Sequence, residues 1–201
     1  PRKWKKKQII LHFGAVDWQS ELWINDKKVG IHKGGFDPFS FNITPFIKKG
    51  KMQKLELKVW DPTDDGFQPR GKQIKSPRGI WYTPVSGIWQ TVWLEPVNEN
   101  YISKMHIIPD IDNENISIKA VTSYDSKDDF LEITINEDGK ILSKVKVRYI
   151  SEIKVPINNP KLWSPESPFL YELNIKLISK GKVIDVVESY AGMRKISINK
   201  D

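Results

Sequence analysis

The feature that most constrains this chain is its two-residue rhythm. Apolar and polar residues alternate along Gln8–Phe13, Glu21–Ile24, Phe39–Ile43 and Leu55–Trp60, and no long stretch shows the 3.6-residue period of an amphipathic helix. These segments are rich in aromatic and β-branched side chains, which suit a pleated, half-buried surface. The pattern predicts strands and an all-β fold. Asn25-Asp26-Lys27-Lys28 reads as a turn, with Asn and Asp supplying local hydrogen bonds, and Lys48-Lys49-Gly50-Lys51 reads as a second. Asp61 to Pro84 breaks the rhythm. It is polar and holds four prolines, so it reads as one long loop. Loops of that length in compact domains are often functional.

After Pro96 the texture changes. Seven of the eight tryptophans lie before residue 97. Short strands then follow at regular spacing: Ser103–Ile108, Ile116–Tyr124, Leu131–Asn136, Ile141–Val147, Ser151–Val155, Tyr171–Ile178, Val183–Tyr190 and Lys195–Ile198. Turn signals at Asp112-Asn113, Asp138-Gly139, Asn158-Asn159-Pro160 and Lys180-Gly181-Lys182 separate them. About seven short strands in roughly a hundred residues suggest an immunoglobulin-like sandwich. The boundary falls near Pro96–Tyr101, so the domains read as 1–97 and 98–201.

Composition narrows the function classes. The chain has 201 residues and 39% hydrophobic content, enough for packed cores, and no apolar run long enough for a membrane helix. It has no cysteine, which rules out disulfides and cysteine-based zinc sites. Residues 1–97 carry 17 Lys+Arg against 9 Asp+Glu, and residues 98–201 carry 15 against 16. That asymmetry can mark a polyanion partner, or a solvated face with a basic N-terminal run. The Arg2–Lys7 run fits either a polyanion site or charged protection of a strand that lacks its neighbour. The start has no initiator Met and no intact signal peptide, and reads as a trimmed segment. A bacterial periplasmic or secreted location is favoured over the cytoplasm.

Three segments carry a family resemblance. The first runs from Leu11 to Trp18 (LHFGAVDW) and on through Leu22 to Thr44 (LWINDKKVGIHKGGFDPFSFNIT). The second comprises Trp60-Asp61-Pro62, Pro69 to Gln73 and Ile80 to Pro96 (IWYTPVSGIWQTVWLEP). The third is Leu162 to Leu173 (LWSPESPFLYEL) with Asp185 and Gly192 to Ile196 (GMRKI). In this order they resemble the sugar-binding domain and the following domain of glycoside hydrolase family 2. The resemblance implies a galactose-binding-like jelly-roll sandwich, here partial because its early strands are missing, followed by an immunoglobulin-like β-sandwich.

Members of that family are retaining glycosidases, with two glutamates about 5 Å apart on a catalytic barrel. The barrel would begin soon after Arg194-Lys195-Ile196, so the reading is of a non-catalytic portion, inactive alone, whose catalytic residues lie elsewhere. Asp64-Asp65 and Asp128-Asp129 are adjacent carboxylates, and sequence neighbours face apart; solvated turns account for them. The implied partners are a β-linked glycoside and the barrel of the same parent chain, with no nucleic acid and no membrane. An unpaired strand edge near Gln8–Phe13 would give a homodimer. A free-standing carbohydrate-binding module using Trp81, Tyr82 and Trp89 as a stacking platform is the alternative function, and a basic nucleic-acid binder a third.

The resemblance also implies that the Asp61–Pro84 loop reaches the substrate. Sugar recognition needs flat aromatic faces, with carboxylate, amide and guanidinium groups on the hydroxyls. The candidate substrate-binding residues are Asp61, Asp65, Arg70, Lys72, Gln73, Trp81 and Tyr82. Several β-galactosidases and β-glucuronidases of the family carry an Asp six residues before the glycine of the Ser-Gly-Ile turn, where it binds a sugar hydroxyl. Here that position is Trp81, and an indole has no acceptor to offer. This departure counts against those two specificities without excluding them. Trp18, Trp23, Trp60, Trp89 and Trp93 sit at strand spacing and read as core. Trp163 reads as a cap on the second core. Gly34-Gly35 is not followed by a helix and reads as a bend rather than a phosphate cradle. The scattered His12, His32 and His106 suggest no metal site, and no cofactor is implied.

Overall fold

The computed structural model describes residues 2–148 and 152–198. They form fifteen strands, two short 3₁₀ turns and no α-helix. Among the described residues, no helix is long and apolar enough to cross a membrane. The chain divides into two compact units, Pro1–Val97 and Asn98–Asp201.

The first unit holds β1 (Gln8–Phe13), β2 (Val16–Asp17), β3 (Gln19–Ile24), β4 (Lys27–Lys33), β5 (Phe39–Asn42), β6 (Leu55–Trp60), β7 (Gly87–Ile88) and β8 (Val92–Val97). Two antiparallel sheets, ordered β5-β1-β8 and β4-β3-β6, enclose one core, and β2 pairs with β7 as a short ribbon. Alternation decides which side chains enter that core. On β3, Ser20, Leu22 and Ile24 are buried while Gln19, Glu21 and Trp23 are not. They meet Ile9, Leu11 and Phe13 from β1 and Ile43 beyond β5. Asn25 and Asp26 form a two-residue hairpin loop, both at positive φ, a conformation that Asn and Asp tolerate better than other residues. Asn25 Nδ2 donates to Phe46 O at 2.8 Å, which ties the hairpin to the turn after β5.

The structure corrects two expectations here. The Gln8–Phe13 strand has no free edge, because β1 is the central strand, paired to β5 on one side and β8 on the other. The basic run before it therefore guards no missing neighbour; Lys3 and Lys5–Lys7 flank Trp4, which packs on the core. Among the tryptophans, Trp60, Trp89 and Trp93 are not core residues. They are 57%, 50% and 44% exposed: Trp60 and Trp93 pair with Gln19 and His12 on the face of β6 and β8 turned away from the core, and Trp89 lies just past the short strand β7. Trp18 and Trp23 are half-buried.

The second unit holds β9 (Ile102–Asp110), β10 (Asn115–Thr122), β11 (Asp129–Glu137), β12 (Lys140–Arg148), β13 (Ile153–Pro156), β14 (Tyr171–Ser179) and β15 (Lys182–Ala191). Sheets ordered β13-β10-β9 and β12-β11-β14-β15 make a seven-stranded antiparallel sandwich. Its core is aliphatic, built from Ile116 and Ile118 of β10, Leu131, Ile133 and Ile135 of β11, and Leu173, Ile175 and Leu177 of β14. Tyr171 is buried in it and its hydroxyl accepts from the Lys161 N–H at 2.7 Å, which satisfies its one polar atom. Trp163 covers one end: its backbone N–H donates to Met193 O at 2.9 Å, and the Arg194 guanidinium lies 4.8 Å from its ring.

Three further expectations meet this unit. Lys195–Ile198 is not a strand, since pairing past β15 is limited to one bridge between Leu162 and Met193. Asp129 is no solvated turn residue: it is 2% exposed and its Oδ2 accepts from Asn100 Nδ2 at 2.7 Å. Ser151, expected to start β13, lies outside the described residues.

Candidate functional site

The Asp61–Pro84 loop has no regular strand, yet it is not loose. Asp61 starts it with an Asx turn: Oδ1 accepts from the Thr63 N–H at 2.8 Å, which lets Thr63 hold a positive φ. The other oxygen, Oδ2, accepts from Ser86 Oγ at 2.6 Å, so one carboxylate clamps both ends of the loop. Gln68 is buried and donates from Nε2 to Thr63 O at 3.0 Å. Gln73 and Tyr82 form a parallel bridge, with the Tyr82 N–H donating to Lys72 O at 2.8 Å. Gln73 Oε1 accepts from the Val85 N–H at 2.5 Å. Side chains thus replace the ladder hydrogen bonds that the prolines forbid.

This bracing gathers part of the predicted set. A cleft too tight to admit a water molecule in this conformation is lined by Asp61, Thr63, Pro69, Arg70 and Gln73, together with Asp17 from β2. Arg70 lies 4.0 Å from the Asp64 carboxylate, and its guanidinium carbon is 5.6 Å from the Trp81 ring centre. Trp81 is 36% exposed and Tyr82 65%. Four of the seven predicted residues do not line the cleft: Trp81 is reached only through Arg70, Tyr82 joins only by its bridge to Gln73, and Asp65 and Lys72 stand apart. Asp65 is held in an ion pair with Lys75, and Lys72 is exposed and bound to the rest through its backbone.

Asp17 was not singled out from the sequence, and it is the most unusual group of the site. Its Oδ1 is buried without a hydrogen-bond partner. Burial, and then the nearby Asp61 charge, raise its pKa above the usual aspartate range. Gly35 fits against it so closely that a Cβ there would lie 2.6 Å from Oδ1. This explains the Gly34-Gly35 bend: the backbone must pass over a carboxylate with no room for a methyl group. The sequence signal was a lone carboxylate between Val16 and Trp18 in an otherwise apolar run. Behind the cleft, the Trp89 indole N–H donates to Gly35 O at 2.7 Å and its ring meets Phe36 edge-on at 5.8 Å.

Among the described residues, no group of three or more His, Asp or Glu is placed to hold a metal ion. His12 stacks on Trp93 at 4.7 Å and its Nε2 is 2.8 Å from Glu95 Oε2, while His32 stacks on Phe39. A hollow of about 220 Å³ on the second unit is lined by His106, Ile108, Ser117, Lys119 and Glu152. It has no Trp, Tyr or Phe ring to face a sugar, and Ser117 Oγ already engages Glu152 at 2.5 Å.

Comparison with known proteins places this architecture. The profile described as "Glycosyl hydrolases family 2, sugar binding domain" matches residues 1–96, and that of "Glycosyl hydrolases family 2" matches residues 100–194. A β-galactosidase of Thermoanaerobacter pseudethanolicus is 28% identical over 99% of this chain and 28% of its own length. A putative β-glucuronidase of Formosa agariphila is 32% identical over 95% of this chain and 25% of its own length. A solved Ruminococcus gnavus β-glucuronidase in complex with D-glucuronic acid shares the fold, with a TM-score of 0.80 at 20% identity, over 99% of this chain and 36% of that one. The chain therefore spans about a quarter to a third of the length of these relatives. With profiles covering both units in order and relatives aligned across nearly all its residues, the chain belongs to glycosyl hydrolase family 2.

Proposed function

We propose that this chain is the non-catalytic, two-domain portion of a retaining β-glycosidase, in which residues 1–97 are the sugar-binding domain. In this reading it supports a catalytic barrel carried elsewhere in the protein, and its Asp61–Pro84 loop lines part of the sugar pocket. The observation that carries it is the meeting of Asp17, Asp61, Arg70 and Gln73 in one cleft, with Trp81 reached through Arg70. Rings supply a face for the C–H side of a sugar. Arg70 and Gln73 supply donors, and Asp17 and Asp61 supply the acceptors that the indole of Trp81 lacks. The names of the relatives span β-galactosidase and β-glucuronidase, and the cleft holds groups suited to hydroxyls in either.

The test uses the open reading frame that carries this chain, assayed on chromogenic β-galactoside, β-glucuronide and β-mannoside. Trp81→Ala is expected to raise KM about fivefold, the loss of about 1 kcal/mol of ring contact, with kcat little changed. A KM equal to that of the parent on every hydrolysed sugar would remove the loop from the pocket.

The exposure of Tyr82 and Trp89, at 65% and 50%, favours a second reading as a carbohydrate-binding module. Trp89 is held in place by Gly35 and Phe36, as a stacking platform requires. Binding of β-linked oligosaccharides by the 201-residue chain alone, lost on Trp89→Ala, distinguishes it.

A further inference from the structure

The outer face of the β13-β10-β9 sheet holds a shaped hollow, and its register explains why. Ile116, Ile118 and Ala120 of β10 enter the core with Ile153 and Val155 of β13, and Met105 and Ile107 of β9 pack on it. The residues that alternate with them point outward: His106 and Ile108, Ser117 and Lys119, Glu152 and Lys154. Ser117 stands opposite Ile108 on one flank and Lys154 on the other, and Lys119 stands opposite His106. Ser117 is the shortest side chain of this group and lies on the middle strand. Its longer neighbours rise around it, so it is only 9% exposed although it is on the outer face. The hollow of about 220 Å³ opens above it, walled by His106, Ile108, Lys119 and Glu152. At about 30 Å³ for each water molecule this is room for about seven, the scale of one small solute rather than of a drug-sized ligand.

The chemistry of the walls says which solute fits. Ser117 Oγ donates to Glu152 Oε1 at 2.5 Å, which fixes the carboxylate beside the floor and leaves its other oxygen to accept. Among the described residues, the side chains of Lys119 and His106 have no hydrogen-bond or ion-pair partner. A hydroxyl committed to Glu152 has no hydrogen left for an anion, and Glu152 itself repels one. A bare anion is therefore disfavoured. A neutral polyol would leave the Lys119 ammonium unused and would find no Trp, Tyr or Phe face to stack on. The set suits a solute that carries both kinds of group. Its carboxylate would accept from the Lys119 ammonium and the His106 imidazole N–H. A hydroxyl would donate to Glu152, and the carbon skeleton would lie against Ile108.

We propose that this hollow binds a small hydroxy-carboxylate, held by Lys119 and His106 at its acid end and by Glu152 at a hydroxyl. Ser117 is a positioning residue, since it acts by holding Glu152. The site lies wholly within the second unit, so it stands or falls apart from the reading of the Asp61–Pro84 loop.

The experiment is proton NMR of the 201-residue chain, which has only three histidines, so the imidazole signal of His106 can be followed singly once His106→Gln has assigned it. D-glucuronate is titrated as a ring form of the acid and D-gluconate as an open-chain form. D-glucose, which lacks the carboxylate, and acetate, which lacks the hydroxyls, are the comparisons. A saturable shift of the His106 signal is expected with at least one acid, about tenfold tighter than with glucose or acetate, and the tighter acid tells ring from open chain. The signals of His12 and His32, which belong to the first unit, should stay in place. Lys119→Gln, at an exposed position, should weaken the acid about tenfold through loss of one charge-assisted hydrogen bond. Ser117→Ala should weaken the hydroxy acid and leave acetate unchanged, a split that a general loosening of the sheet would not give. If thermal melting shows Ser117→Ala to be unfolded, Glu152→Gln, at an exposed position, takes its place with the same split expected. Absence of a saturable His106 shift with either acid overturns the proposal. So does glucose or acetate binding as tightly as the acids, or a Lys119→Gln chain that binds them as the parent does.

Discussion

Gly35→Ala is the sharpest probe of the cleft. The added Cβ would lie 2.6 Å from Asp17 Oδ1, 3.1 Å from its Cγ and 3.6 Å from its Cβ. Gly35 is not among the glycines with positive φ, so the backbone itself accepts alanine and the penalty is the contact. Aspartate is short, and its carboxylate can escape only by turning within a site that already holds Asp61. Overpacking of this kind costs about 1–3 kcal/mol. With a urea slope of about 1–3 kcal/mol/M, a loss near 2 kcal/mol moves the unfolding midpoint by about 1 M. Intrinsic tryptophan fluorescence reports it selectively, because seven of the eight tryptophans belong to the first unit. Asp17→Ala removes the atoms that clash. The double variant should therefore recover at least about 1 kcal/mol relative to the sum of the single changes, as touching residues do. Additivity of the two changes within about 0.5 kcal/mol would refute the reasoning, since it would mean the glycine and the carboxylate do not meet.

Two other outcomes follow from the same structure. Because burial, then the Asp61 charge, raise the Asp17 pKa above its ordinary value of 3.8, the folded state holds that proton more tightly than the unfolded chain. The resulting stabilisation is full below 3.8 and is lost as pH rises through the higher folded value; Asp17→Asn should melt above the parent at pH 7, and the gap should close as the pH falls toward 3, which thermal melts across that range will check. Ile133→Ala deletes a fully buried side chain from the centre of β11 and should cost about 2–5 kcal/mol. Far-UV circular dichroism should show that loss while most of the tryptophan signal, which comes from the other unit, keeps its transition.

Local pattern carries the strands well. A two-residue period survives from sequence to structure because successive side chains leave a strand on opposite faces, so Leu22 and Ile24 read as buried before any coordinates exist. The Asn25-Asp26 hairpin is equally local, since its two residues alone must hold positive φ. The family, too, is legible in the long motifs, because they record the turns and bends of one fold. Exposure is another matter. Trp60 and Trp93 read as core in the sequence, and only strand pairing shows them opposite Gln19 and His12, on the face away from Val59 and Leu94. Asp129 and Asp65 both look like turn carboxylates; one is buried against Asn100 and the other is drawn off by Lys75.

The sequence by itself determined the all-β class, the contrast between an aromatic-rich first unit and an aliphatic second one, and the long polar Asp61–Pro84 loop, because each rests on periodicity or on contiguous residue chemistry. Only the tertiary structure decided that β1 is central, that Trp60 and Trp93 face away from the core, and that Asp17 joins Asp61, Arg70 and Gln73. Those facts depend on which distant segments lie side by side, and strand pairing across dozens of residues leaves no mark on the local pattern of any one of them.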